Sequence, residues 1–327
     1  MPAFRPEKRR LMEIWKEHPP SAREAAEQKR LAPLMRALKA LHSMTSPGQM
    51  TPEELEKQRR NQEILGRLTA PAAGISWKTF SLDGMAASWA RLRTAHGSRH
   101  AILYCHGGGY TSGNLGYSRV LAAKMTRATG FDTLSFEYRL APEHPFPAAV
   151  EDALHAWDYL LRQGYGAGDI VVAGDSAGGN LALVLCHRLR AASQALPGAL
   201  FLMSPWTDMT MSGASYRERS SVDPMLTPDY IDAVRAVYAP DGDYASPFLS
   251  PLFGSFDGFP PTLIQVGDHE ILYSDAESLE RSMRVQGVPC ALEVARNMWH
   301  VYQMFPIKKA QEAMERFARF LLEQCTL

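Results

Sequence analysis

One serine in this chain stands where it could act as a nucleophile. Ser176 lies in Gly174-Asp-Ser-Ala-Gly178, the Gly-x-Ser-x-Gly pattern that holds a serine on a tight strand-to-helix turn. The flanking glycines let neighbouring backbone pass where a Cβ would block it. Such a turn exposes the hydroxyl and aims a helix N-terminus at it, and the partial positive charge there favours an oxyanion formed after attack. Acyl transfer by this serine also needs a base, a group that orients the base, and donors for the oxyanion. His106-Gly-Gly-Gly-Tyr110 follows a short apolar run and has the form of a glycine-rich oxyanion loop; the amide of Ala177, directly after the serine, would supply the other half. The base comes last in the chain order serine, acid, histidine. Of the ten histidines, His300 in Arg296-Asn-Met-Trp-His300 has that position, whereas His106 precedes the serine and reads as structural. The acid must follow the preceding strand, where Gly267-Asp-His-Glu270 offers Asp268 and Glu270. Composition does not choose between them.

The elements needed to position these residues show in the hydrophobic pattern. Ile170-Val-Val-Ala173 reads as a fully buried strand running into the serine, and Leu181, Ala182, Val184 and Leu185 follow with helical spacing. Upstream, 77–81 and 86–92 read as strands joined across Asp83-Gly84, a hairpin signal. Strands at 101–105, 132–136, 170–173 and 199–203 then alternate with helices at 116–129, 147–163 and 177–192. That rhythm implies parallel strands with right-handed crossovers and helices on both faces. It breaks over 204–260, a Pro-, Ser- and Asp-rich excursion with one helix candidate at 228–238, and long excursions of this kind are commonly lids or binding loops. It resumes with strands at 262–266 and 291–295 and helices at 274–286 and 307–323. Residues 1–70 are charged and read as helices. Ser21-Ala-Arg-Glu24 and Thr51-Pro-Glu-Glu54 are capping boxes, the second with proline at the first helical position. Leu31, Leu34, Met35, Leu38 and Leu41 form an apolar stripe that reads as a packing face.

Composition narrows the function classes. At 327 residues and 46% hydrophobic the chain can bury a large core. Lys+Arg and Asp+Glu stand at 35 each, so no bulk charge calls for nucleic acid or another polyanion. The four cysteines, Cys105, Cys186, Cys290 and Cys325, are far apart and neither pair as C-x-x-C nor stand at metal-ligand spacing with histidine. No cofactor or metal is expected. The N-terminal stretch shows no apolar core of a signal peptide with a small-residue cleavage site, and no window is long and apolar enough for a membrane span. A cytoplasmic protein is therefore expected, and a homodimer is left open.

His106-Gly-Gly-Gly-Tyr110, Tyr138-Arg-Leu-Ala-Pro-Glu143 and Gly174-Asp-Ser-Ala-Gly-Gly179 together resemble the bacterial hormone-sensitive-lipase-like esterases of the α/β-hydrolase superfamily, over about residues 75–325. The resemblance implies an α/β-hydrolase fold with a mostly parallel central sheet and a helical cap. Its expected divisions are 1–70 as the N-terminal cap segment, 71–204 as the first part of the core, 205–260 as the second cap segment and 261–327 as the last part of the core. It implies Gly108 and Gly109, with Ala177, as the oxyanion donors. Many members carry the acid as Asp-Pro-Leu-Arg-Asp; laid ungapped on 261–272, that motif places the acid on Glu270, a departure from the usual aspartate. A triad of Ser176, Glu270 and His300 is implied, acting on a small-molecule ester through an acyl-enzyme. Trp206, Met209, Met211, Met225, Tyr230 and Phe248 in the second cap segment favour small to medium, fairly apolar esters, unless they serve only to pack the cap onto the body. Hydrolysis of a lactone, carbamate or amide by the same triad is the alternative. So is ligand binding without turnover, as in the related plant hormone receptors, which lack the histidine retained here as Trp299-His300.

Overall fold

A computed structural model describes residues 29–33, 35–36, 50–69, 74–94 and 99–324, without the side chains of 61–69. The Ser21 capping box and Leu34, Leu38 and Leu41 of the apolar stripe lie outside the described residues. Leu31 is buried and Met35 half-buried against Ala295, Met298, Trp299, Tyr302 and Ala313, so the described part of the stripe packs on the loop that carries His300.

Helix α1 spans Pro52–Thr69, with proline at its first position as the sequence predicts, and its Leu55 is buried. Strands β1 (Ile75–Leu82) and β2 (Met85–Leu92) pair in register from Ile75↔Leu92 to Leu82↔Met85. The tight connection is made by Asp83 and Gly84, both at positive φ of 49° and 97°, the conformation that a two-residue hairpin turn of this kind requires. Thereafter come β3 (Ala101–Cys105), α2 (Leu115–Thr129), β4 (Asp132–Phe136), α3 (Ala148–Arg162), β5 (Ile170–Asp175), α4 (Ala177–Ala191) and β6 (Ala199–Met203). The excursion after β6 holds a single helical turn, α5 (Ser215–Glu218), which the sequence pattern does not reveal, and α6 (Pro228–Tyr238). The Thr227 hydroxyl caps α6 by accepting from the Tyr230 amide. The fold closes with β7 (Thr262–Gly267), α7 (Tyr273–Val285), β8 (Cys290–Ala295) and α8 (Lys308–Gln324).

The eight strands form one sheet in the order β1-β2-β4-β3-β5-β6-β7-β8. β2 meets both β1 and β4 antiparallel, and the pairs from β4 to β8 are parallel. Parallel strands covered on both faces read as continuous apolar runs, and β3, β5 and β6 are buried at every residue. Their side chains alternate between two cores. Leu103, Val172 and Leu202 pack with Trp157 and α4 on one face. Ile102, Val171 and Phe201 pack with α2 and α8 on the other, where Phe201 stacks on Phe317 at 3.9 Å between ring centroids. Truncating a buried leucine such as Leu103 to alanine would cost about 2–5 kcal/mol.

Parallel registry also aligns the strand ends. Cys105 pairs with Gly174, Asp175 with Met203, and Gly267 with Ala295. The loops beginning at 106, 176, 204, 268 and 296 therefore leave the same edge of the sheet, the carboxyl edge where open α/β sheets place their ligands. Among the described residues no helix is long and apolar enough to cross a membrane.

Candidate active site

The turn at Ser176 is as tight as its glycines foretell. Ser176 has φ 55° and ψ −124°, a conformation that costs a non-glycine residue roughly 1–3 kcal/mol and persists only where the surroundings enforce it. Enforcement comes from both sides. The Ser176 amide donates to Met203 O at 2.9 Å and its carbonyl accepts from Trp206 N at 3.1 Å, tying the turn to the end of β6. A Cβ on Gly174 would collide with the Gly178 carbonyl, and one on Gly178 would collide with the carbonyls of Cys105 and His106. Gly178 is thus the point where the serine turn and the glycine loop after β3 touch.

His300 lies in the loop between β8 and α8 and is 6% exposed. Ser176 Oγ donates to its Nε2 at 2.9 Å, and its Nδ1 donates to Glu270 Oε2 at 3.0 Å. A carboxylate only accepts, so Nδ1 carries the proton and Nε2 is left free to take one from the serine. Glu270 is fully buried; its other oxygen accepts from the Gly267 amide and from Ser204 Oγ at 2.8 Å. Burial alone would push the His300 imidazole pKa down. The hydrogen bond and charge of Glu270, with Asp223 and Asp175 behind it, outweigh burial and raise the pKa above its ordinary 6.5. Asp268 is turned elsewhere: its Oδ1 lies 2.7 Å from His269 Nδ1, and its carbonyl accepts from Arg219. The residues alone leave two carboxylates open and the family motif places the acid on Glu270; Glu270 is the one brought to His300.

Gly108 and Gly109 adopt φ of 116° and 64°, and among the described residues neither amide has a protein acceptor. Ala177 is the first residue of α4, so its N–H has no partner within the helix. The three amides are free for an oxyanion. His106 does not reach the serine. It is fully buried, stacked on Tyr138 at 4.1 Å with Nδ1 2.8 Å from Gly107 O, and burial lowers its pKa to about 4, which keeps it neutral.

Three further groups position this array. Asp175, next to the serine, accepts from Tyr104 OH at 2.6 Å, Tyr117 OH at 2.6 Å and the Gly107 amide at 2.9 Å, which ties the glycine loop to β5. Burial raises its pKa against those donors. Ser204 donates to Glu270 and accepts from the Val301 amide at 3.1 Å, joining the acid turn to the histidine loop. Arg59 on α1 donates to Thr111 O and Ala141 O at 2.8 and 2.9 Å and forks onto Glu143 at 2.8 Å, and this partner holds the Glu143 carboxyl down at about 2. A buried aspartate beside a nucleophile is a visible signal. The roles of Ser204 and Arg59 depend on partners distant in the chain.

Of the six apolar candidates in the excursion, Trp206 and Met209 are fully buried in the main core, while Met211, Met225, Tyr230 and Phe248 are half-buried against it. Trp206 and Met209 therefore serve packing. Helix α6 faces the loop: a Cβ on Gly109 would come within 3.0 Å of Val234 and 3.5 Å of the Tyr230 hydroxyl.

Residues 102–304 match the alpha/beta hydrolase fold family. The chain is 35% identical over 290 residues to an acetyl-hydrolase of Streptomyces hygroscopicus, covering 88% of this chain and 95% of that protein. It is 35% identical over 222 residues to an esterase of Acinetobacter venetianus, covering 67% of this chain and 73% of that one. Among solved structures it is similar to an esterase from the bacterial hormone-sensitive lipase family, with a TM-score of 0.83 and 32% identity over 90% of this chain and 98% of the other. The esterase EstE5 soaked with p-nitrophenyl butyrate aligns with a TM-score of 0.83 and 34% identity, over 91% of this chain and 99% of that one. With the sheet order, the serine turn and the glycine loop already in place, these likenesses identify the chain as a member of the α/β-hydrolase fold family and, within it, of the bacterial hormone-sensitive-lipase-like esterases.

Proposed function

We propose that this carboxylic-ester hydrolase works by acyl transfer through Ser176, with His300 as general base and acid and Glu270 as the group that orients it. The observation that carries the reading is the unbroken hydrogen-bond chain from Ser176 Oγ to His300 Nε2 and from His300 Nδ1 to Glu270 Oε2, at 2.9 and 3.0 Å. Ser176 attacks the ester carbonyl while Nε2 takes its proton, and the buried carboxylate stabilises the imidazolium that results. The negative charge moves onto the carbonyl oxygen, where the amides of Gly108, Gly109 and Ala177 receive it at the positive end of α4. The imidazolium then returns its proton to the leaving alcohol. Water repeats the cycle on the acyl-enzyme and frees the acid.

Small to medium, fairly apolar esters are the proposed substrates, and the acetyl-hydrolase relative and the p-nitrophenyl butyrate soak of EstE5 support a short acyl group. Residues 1–70 and 205–260 form the proposed cap; the seating of α6 over Gly109 and of Arg59 against the glycine loop supports that division. A cytoplasmic location accords with the free thiols of Cys105, Cys186 and Cys290. The test is hydrolysis of p-nitrophenyl acetate, butyrate and octanoate by wild type and Ser176→Ala. The variant should keep its fold and lose roughly 10⁴-fold or more in kcat; an unchanged kcat would sink the assignment.

A further inference from the structure

The excursion after β6 returns to the site at one buried carboxylate. Asp223 stands between α5 and α6 and is 3% exposed. Its Oδ1 accepts from the amides of Met225 and Leu226 at 2.8 and 3.0 Å, closing a local turn of the kind aspartate favours. Its Oδ2 reaches out of that turn and accepts from the Ile271 amide at 2.8 Å. Ile271 directly follows Glu270. One side chain therefore joins the excursion to the turn that carries the residue facing His300 Nδ1.

Neighbouring contacts make this seam firm without reproducing what Asp223 does. Arg219 donates to the Asp268 carbonyl and lies 3.8 Å over the Tyr273 ring. Ser215 accepts from the Ser274 amide at 2.9 Å. None of these reaches the Ile271 amide. The charged groups that face His300 are Glu270 from the turn after β7, Asp223 from the excursion and Asp175 from the end of β5. Asp223 in turn faces His300 and Glu270; burial raises its own carboxyl to about 6 in spite of the imidazole and the amides it accepts from.

We propose that Asp223 is a positioning residue for the reaction: it clasps the excursion to the Ile271 amide and so holds Glu270 in reach of His300 Nδ1. This rests on the assignment of Ser176 and His300 above. A carboxylate is required to accept at the local turn and at Ile271 together. An asparagine can accept with one oxygen only and would turn an N–H toward either the Ile271 amide or the 225–226 turn, leaving a buried donor opposed by a donor.

The test compares Asp223→Asn and Asp223→Ser with wild type and Ser176→Ala on p-nitrophenyl butyrate, reading kcat, KM, thermal midpoint and the acid limb of kcat/KM. A serine can still close the local turn through its hydroxyl while removing the reach to Ile271, so it serves where the asparagine variant does not fold. The expected result is a kcat roughly ten- to a hundredfold lower, the scale set by a misplacement of about 1 Å in a catalytic array, with KM little changed. The acid limb should also move to lower pH, because a Glu270 held less closely against His300 Nδ1 favours the protonated imidazole less. A role confined to folding would not move that limb. An acid limb unmoved in a folded Asp223 variant overturns the proposal while leaving the Ser176 assignment intact. Full activity in Ser176→Ala would overturn both.

Discussion

Replacing Glu270 by glutamine tests the site most sharply, because the surroundings dictate how the amide must sit. In the native protein Oε1 accepts from the Gly267 amide and Ser204 Oγ while Oε2 accepts from His300 Nδ1. Glutamine keeps one acceptor and gains an NH2. With its oxygen toward Gly267 and Ser204, the NH2 meets His300 Nδ1 and selects the tautomer protonated on Nε2, which cannot take a proton from Ser176. Flipped, the NH2 opposes the Gly267 N–H and leaves a buried donor unsatisfied, at about 1–3 kcal/mol. The first arrangement is the cheaper one, so the wrong tautomer dominates, and the imidazolium also loses its counter-charge. In a serine protease the equivalent change lowers kcat ~10⁴-fold, which corresponds to about 5 kcal/mol of transition-state stabilisation. Asp268→Asn is the matched control. Its side chain is 25% exposed and faces His269, and a partly exposed pair of this kind contributes about 0–1 kcal/mol. The assay is kcat on p-nitrophenyl butyrate with the thermal midpoint of each variant. Loss of activity in Asp268→Asn with retention in Glu270→Gln would refute the reasoning, and equal, small effects in both would show that His300 is held by something else.

Two further outcomes follow from the geometry. In the proposed mechanism the free enzyme needs neutral His300, and Glu270, Asp223 and Asp175 together raise its pKa above 6.5 despite burial; kcat/KM is therefore expected to fall as pH drops through a value above 6.5. An acid limb centred below 6.5 in wild type would contradict this. Gly178→Ala would drive a methyl into the carbonyls of Cys105 and His106, so it should lower both kcat and the thermal midpoint, the latter by roughly 5 °C or more. A midpoint and kcat matching wild type would mean that the two loops are not locked together at this residue.

Local signals carried much of this protein. Apart from the short α5, the strands and long helices from Ile75 to Gln324 follow from periodicity, because buried parallel strands are largely apolar and their crossover helices must show one apolar stripe. The turn at Ser176 follows from Gly174 and Gly178, because no other residue type tolerates the approach their backbones make. His300 follows from chain order, since the loop after the last strand leaves the same sheet edge as the serine. Glu270 and Asp268 are two residues apart in one turn and nearly alike in type and charge, so the residues alone do not choose between them, and only the family resemblance points to Glu270. What separates them is contact with Ser204, 66 residues away in sequence, and with His300, 30 residues away. The same holds for Asp223, whose partner amide is 48 residues distant, and for Arg59, whose fork onto Glu143 spans 84 residues. Periodicity and turn chemistry are short-range and can be read along a chain, whereas the partner of a buried charge is chosen by whichever loops the sheet order brings to one edge, and only the folded protein decides that.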